Sequence, residues 1–384
     1  MTTIRKQNYR KLLQGVYEPP SKEFGVPDFA FNPLNQSGDI YRPVIDQAWV
    51  QEHGKPIWPK GKEFAVCLTH DVDAVSEFNL SQNVRSILKL LKNDSKRPLG
   101  EVLRWILIHK LNALRGIIGR PDRLCDFENW LDLEEGVGAR STFFFAPETV
   151  TLPHNSDCMY KYDQTIHFRG ELISVAELMR MMDSKGWEIG LHPSWHTHNN
   201  LEEMISQKRQ VENIVGHDIQ SVRQHFLKYN PMKTPQTQSL AGFKVDSTLG
   251  FNDNVGFRRG TSYPFSSYNL ETNEKIDLLH IPLTVQDGAL MLSEKGLRLD
   301  ADTSVEYVKL MLDAVQEVGG VLNLSWHPHT INRPGFWDVY KRVLELVQQE
   351  DPWFATIGEL GKWWSKEVKI DLDTYTAQLA SDNV

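Results

Sequence analysis

Seven short apolar runs constrain this chain most. They are EFAVCLT (63–69), RSTFFFA (140–146), WEIGLH (187–192), IQSVRQH (219–225), GFKVDS (242–247), DLLHIPL (277–283) and GVLNLSWH (320–327). Several are solidly apolar rather than alternating, the pattern of strands covered on both faces. Amphipathic segments at 174–186, 200–216 and 303–320 lie between them, and each ends in glycine, a C-terminal helix stop. Strand–helix alternation predicts a mainly parallel α/β fold, and about seven units suit a barrel. Functional groups should then sit at the C-terminal ends of the strands. His70, Asp71 and Asp73 end the first run, HPSWH and His198 the third, Arg223 and His225 the fourth, Asp246 the fifth, and His327 and His329 the seventh.

The flanks are different. Residues 1–61 are rich in turn formers and read as an irregular arm wrapped on a barrel spanning 62–365, with 366–384 as a tail. Residues 78–130 interrupt the rhythm as a helical insertion after the first strand. Within it, 85–123 carries ten Lys/Arg against three acids, with Leu103, Leu107, Leu111, Leu114 and Ile118 at helical spacing. That is either a helical hairpin with a solvated basic face or a contact for an anionic membrane surface. The whole chain of 384 residues has a net charge of −8, which argues against a general nucleic-acid binder. Three cysteines without a close pair read as reduced thiols. No signal-peptide core opens the sequence, and no stretch approaches the roughly 20 apolar residues of a spanning helix. The expectation is a cytoplasmic protein, peripheral to a membrane if the basic segment docks.

The chemistry concentrates in HDVD (70–73) and HPSWH (192–196). Two carboxylates and an imidazole at the mouth of an apolar strand are costly unless they pair or bind an ion. In an extended segment Asp71 and Asp73 point the same way. His192 and His196, four apart, would share one face of a helix, with His198 a lesser substitute for either. Two imidazoles and one carboxylate with an open position form a catalytic zinc arrangement.

LTHDVD, HPSWH, Arg223 in VRQHF, VDSTLGF and LSWHPH resemble, in order, the five motifs of the polysaccharide deacetylase (NodB-homology, carbohydrate esterase family 4) superfamily, and STFFFAPE is similar to its second-strand text. The resemblance implies a distorted (β/α)7 barrel and a metal-dependent hydrolase that removes an acyl group, N-acetyl above all, from a carbohydrate. It implies Asp71 as base, held by Arg223. It implies Asp73, His192 and His196 as ligands of one divalent metal, most of all zinc, and Phe226 as the residue whose backbone N–H faces the oxyanion. It implies His327 as general acid oriented by Asp246, with His329 the alternative acid. The sequence departs from the family pattern where Val72 separates the carboxylates and where Gln224 follows Arg223. Other readings stay open: hydrolysis of a non-sugar amide by the same site, a sugar-nucleotide transferase using Asp71 and Asp73 for its metal, and a non-catalytic carbohydrate-binding barrel.

Overall fold

The first apolar run becomes a strand because its alternate residues feed two different cores. Val66 and Leu68 pack with the helical layer around Phe143, Phe145, Val308 and Val339. Ala65 and Cys67, their neighbours in sequence, pack with Phe144, Val245, Ile281 and Trp364 on the other side. A strand with apolar partners on both faces has no polar phase to show, which is why the text does not alternate.

The computed structural model describes residues 4–18, 32–76, 124–158, 160–292 and 296–381. The strands are β1 (Ala65–Val72), β2 (Thr142–Phe145), β3 (Thr165–Phe168), β4 (Glu171–Ser174), β5 (Glu188–Leu191), β6 (Ser221–Val222), β7 (Val245–Asp246), β8 (Phe265–Tyr268), β9 (Lys275–His280), β10 (Val285–Gln286), β11 (Val321–Ser325) and β12 (Trp353–Phe354). The main sheet runs β10-β11-β1-β2-β5-β6-β7-β9-β8, with β12 added to β1. All its pairs are parallel except β8 with β9. β9 and β10 belong to one run of chain. Its first half pairs with β7 (Val245↔Leu279, Asp246↔His280) and its second with β11 (Val285↔Leu324, Gln286↔Ser325). That run joins the two edges of the parallel sheet, and the result is the distorted (β/α)7 barrel. The distortion is plain at β6 and β7, two residues each.

The helices between strands start and stop where local chemistry dictates. Val175–Ser184 opens on a capping box, Ser174 with Glu177. Leu201–Val215 is capped by Asn200, and Ala301–Val318 by Asp300. Both end on a left-handed glycine, Gly216 (φ 83°) and Gly319 (φ 68°). The arm carries short helices as well as turns: Tyr9–Gln14, Pro33–Ser37 and Val44–His53. The tail forms helix Leu372–Ser381, which packs on the arm through Arg10 and Asp373 (2.9 Å). The basic segment 85–123 lies outside the described residues; the described part of the insertion ends in helix Phe127–Gly136, the crossover between β1 and β2. No described helix is long and apolar enough to cross a membrane.

Candidate metal centre and active site

β1 delivers HDVD with the register fixed on both sides, Thr69 opposite Ser325 and Asp71 opposite Phe144. His70 is fully buried and faces away from the cleft: one nitrogen donates to the Trp326 carbonyl (2.7 Å) and the other meets Glu134 Oε1 (2.6 Å). Glu134 also accepts from Ser141, Tyr340 and Trp187, and although burial opposes its charge, His70 and these donors hold its carboxyl below the usual range. His70 is therefore a structural group, as its opposite orientation to Asp71 requires.

Asp71 and Asp73 open on a cleft of about 360 Å³, lined with His192, His225, Phe226, Asn252, His327, His329 and Arg333 among others. Arg223, fully buried at the centre of the barrel, donates through Nη1 to Asp71 Oδ1 (3.0 Å) and Thr69 Oγ1 (2.7 Å) and through Nη2 to Ser247 Oγ (2.7 Å). Its guanidinium lies 4.6 Å from the Phe144 ring centroid. The expected pairing of Arg223 with Asp71 is thus what the fold builds.

Among the described residues, the group of donors that converges closely enough to hold a metal ion is Asp73, His192 and His225. Asp73 Oδ1 is 3.4 Å from His192 Nε2 and 3.9 Å from His225 Nε2. It is buried and has no hydrogen-bond partner, an orphaned acceptor that a cation would satisfy. His192 donates Nδ1–H to the Arg223 carbonyl (2.7 Å), which leaves the Nε2 lone pair facing Asp73. Burial pushes the His225 pKa down to about 3 against the pull of Asp73, so this imidazole stays neutral. Burial opposes ionisation of Asp73 as well, yet the facing His192 and the charged His327 hold its carboxyl well below the usual range. The donor set therefore fits a divalent ion.

His196 is not in that group, which corrects the expectation from HPSWH. The segment after β5 is not a helix. Pro193 keeps His192 extended as a continuation of the strand, the chain then turns, and a short 3-10 helix follows only at Thr197–Asn199. Without helical periodicity the spacing of four no longer puts two residues on one face by itself. The His196 ring instead lies edge-on to His154, at 5.8 Å. His198 bonds the Trp195 carbonyl (3.1 Å), and burial pushes its pKa down to about 4.

The partner assigned to His327 is corrected too. Asp246 pairs with His280 (2.9 Å) and also accepts from Gln238 and Thr248. The acid beside His327 is Asp287, which takes Nδ1–H (2.6 Å) and is itself held by the His327 backbone N–H (3.1 Å) and Thr330 (2.9 Å). Burial disfavours an imidazolium at His327, but Asp287, with Asp73 and Asp71 behind it, pushes the pKa up to about 10. His327 Nε2 points back to Asp73 Oδ2 at 3.8 Å. His329 lines the same cleft, but its buried Nδ1 has no partner and burial lowers its pKa. Phe226 stands at the cleft wall in a left-handed conformation (φ 56°), its carbonyl accepting from Asn252 (2.8 Å). Such backbone in a residue with a side chain is costly and gathers at functional sites.

Neither the family models nor the curated proteins compared with this sequence match it. Solved structures do. One described as a polysaccharide deacetylase from Mycobacterium smegmatis superposes with a TM-score of 0.53 at 19% identity, covering 83% of this chain and 95% of the other. One described as a polysaccharide deacetylase from Pseudomonas aeruginosa PAO1 gives 0.51 at 16%, covering 84% and 99%. The Puue allantoinase gives 0.51 at 16%, covering 83% and 97%. The chain has the barrel fold of these three structures.

Proposed function

We propose that this protein is a metal-dependent hydrolase that removes an acyl group, N-acetyl above all, from a carbohydrate. The observation that carries the reading is the meeting of three units in one cleft: Asp71 with Arg223, the trio Asp73, His192 and His225, and His327 with Asp287. The structures described as polysaccharide deacetylases support the substrate class. A bound divalent ion, zinc for preference, would polarise the amide carbonyl and supply a nucleophilic water near neutral pH.

The remaining work falls to the chain. Asp71 is the base; the Arg223 hydrogen bond aims one oxygen and leaves the other for the proton of the attacking water. His327 is the acid. Its Nδ1–H is anchored on Asp287, so Nε2 carries the proton that the departing nitrogen needs. The backbone N–H of Phe226 is the donor for the oxyanion. The test is release of acetate from N-acetylglucosamine oligomers by metal-loaded protein, with Asp71→Asn as control. Release that disappears on chelation and in Asp71→Asn is the expected result. No release with the metal bound would overturn the carbohydrate reading. The likeness to an allantoinase favours a second reading, hydrolysis of a non-sugar amide by the same groups, so allantoin belongs in the same assay.

A further inference from the structure

Cys158 lies against the converging trio. Its Sγ is 3.4 Å from His225 Nε2, the nitrogen that faces Asp73. Resting on the reading of Asp73, His192 and His225 as metal ligands, we propose that Cys158 is a fourth protein donor to the same ion.

The distances favour it. Zinc binds sulfur at about 2.3 Å and nitrogen or oxygen at about 2.0–2.2 Å, so a tetrahedral angle puts S and N about 3.6 Å apart and two lighter donors about 3.4 Å apart. The observed Cys158–His225 separation is 3.4 Å, and Asp73 to His192 is 3.4 Å. The first matches an S–N edge and the second an edge between lighter donors; Asp73 to His225 is longer, 3.9 Å, and Sγ lies outside the group that already converges, so the thiol closes in as the ion binds.

The loop that bears the thiol is also built to hold it there. Asp157 accepts from the Trp195 backbone N–H (2.7 Å), three residues after His192. Tyr160 bridges the Ala146 N–H (2.9 Å) and the carbonyl of Val72 (3.0 Å), the residue between the two carboxylates. The neighbours of Cys158 are thus tied to two of the three ligand-bearing segments, those of Asp73 and His192. The other thiols are placed elsewhere: Cys125 donates to the Ala74 carbonyl (2.9 Å), and Cys67 is sealed in the barrel wall.

On binding, the Sγ–H proton leaves to solvent as the metal–sulfur bond forms, with no change of oxidation state. A thiolate favours zinc over magnesium, calcium or manganese. It also fills the position that a catalytic zinc keeps for water, so water enters by a fifth coordination position or when the thiolate leaves.

The test is a cobalt(II) titration of chelated protein, read by absorption. The wild type should take up one cobalt with a near-ultraviolet sulfur-to-cobalt charge-transfer band. Cys158→Ser should lose the band and bind at least about 10-fold more weakly, the minimum seen even for outer-shell partners of a metal. One cobalt bound without the band, or a band that persists in Cys158→Ser, overturns the proposal and leaves the metal centre standing. No cobalt bound by the wild type overturns the metal centre and this proposal with it. If Cys158→Ser does not fold, a Cys67→Ala, Cys125→Ser variant retains Cys158 as its one cysteine and must still show the band.

Discussion

His192 and His225 turn the same nitrogen, Nε2, toward Asp73 but hold it by different means. His192 is locked by a hydrogen bond from Nδ1 to a carbonyl, whereas His225 Nδ1 has no partner and the ring is set by packing against Phe226 (4.4 Å) and His192 (5.0 Å). Elemental analysis should find His225→Ala stripped of metal and His196→Ala loaded. The opposite result would return His196 to the ligand set. Asp287 acts through His327 and is a positioning residue. Asp287→Asn should cost roughly 10²–10⁴-fold in rate, the scale of a misplaced acid or base. It should also move the alkaline limb of the pH–rate profile. Asp287 raises the His327 pKa, so the imidazolium persists to high pH; without that charge it is lost earlier, and the limb shifts downward. A limb that stays in place would hand the proton to another group, His329 first. Asp246→Asn should leave the limb unmoved, since that carboxylate serves His280.

At the level of elements, the base is aimed by a stack that crosses four strands. Gly190 in β5 pairs with Phe144 in β2; the Phe144 ring lies beneath the Arg223 guanidinium after β6; and Arg223 holds Asp71 in β1. A Cβ on Gly190 would fall 2.6 Å from Phe144 Cδ1 and 3.0 Å from the Ser221 carbonyl. Gly190→Ala must therefore push the ring toward Arg223. We expect a loss of about 1–3 kcal/mol in urea unfolding, the cost of overpacking a close-fitted core, together with lowered turnover at unchanged metal content. Normal turnover would mean that the stack does not aim Asp71. The core strands were legible where burial on both faces leaves an apolar signature, as in β1, β2 and β11. β4 and β8 were not, since β4 is largely solvent-facing and β8 lies in polar, turn-rich text. The site was legible where one strand end supplies it, as at Asp71, Asp73, His192 and His327. His225 was visible at its strand mouth, but HPSWH offered a nearer pair, and only Pro193 hinted that the helical spacing would not form. Asp287 escaped because its run, Val285–Gln286, is two residues long and its tie to His327 spans 40 positions.

On the scale of the whole molecule, one carboxylate pins the N-terminal arm to the wall of the cleft. Glu18 is buried between Arg258, which donates through Nε and Nη2 (both 2.8 Å), and Arg259 (3.2 Å). Arg258 continues to the Gly250 carbonyl (2.9 Å), two residues before Asn252, which holds the Phe226 carbonyl. Burial opposes the charge on Glu18, but the two guanidiniums override it and hold its pKa below the ordinary value of 4.5. A depressed carboxylate contributes stability that is present above its unfolded pKa and lost as pH falls through the folded one. Glu18→Gln leaves two buried cations uncompensated, which at neutral pH should cost about 3–5 kcal/mol. The sign of the linkage makes the prediction specific. The wild type surrenders the same charge on acidification, so the gap between the two urea midpoints should narrow as pH falls below 4.5. A gap that stays constant with pH would mean that Glu18 holds the arm by shape and not by charge.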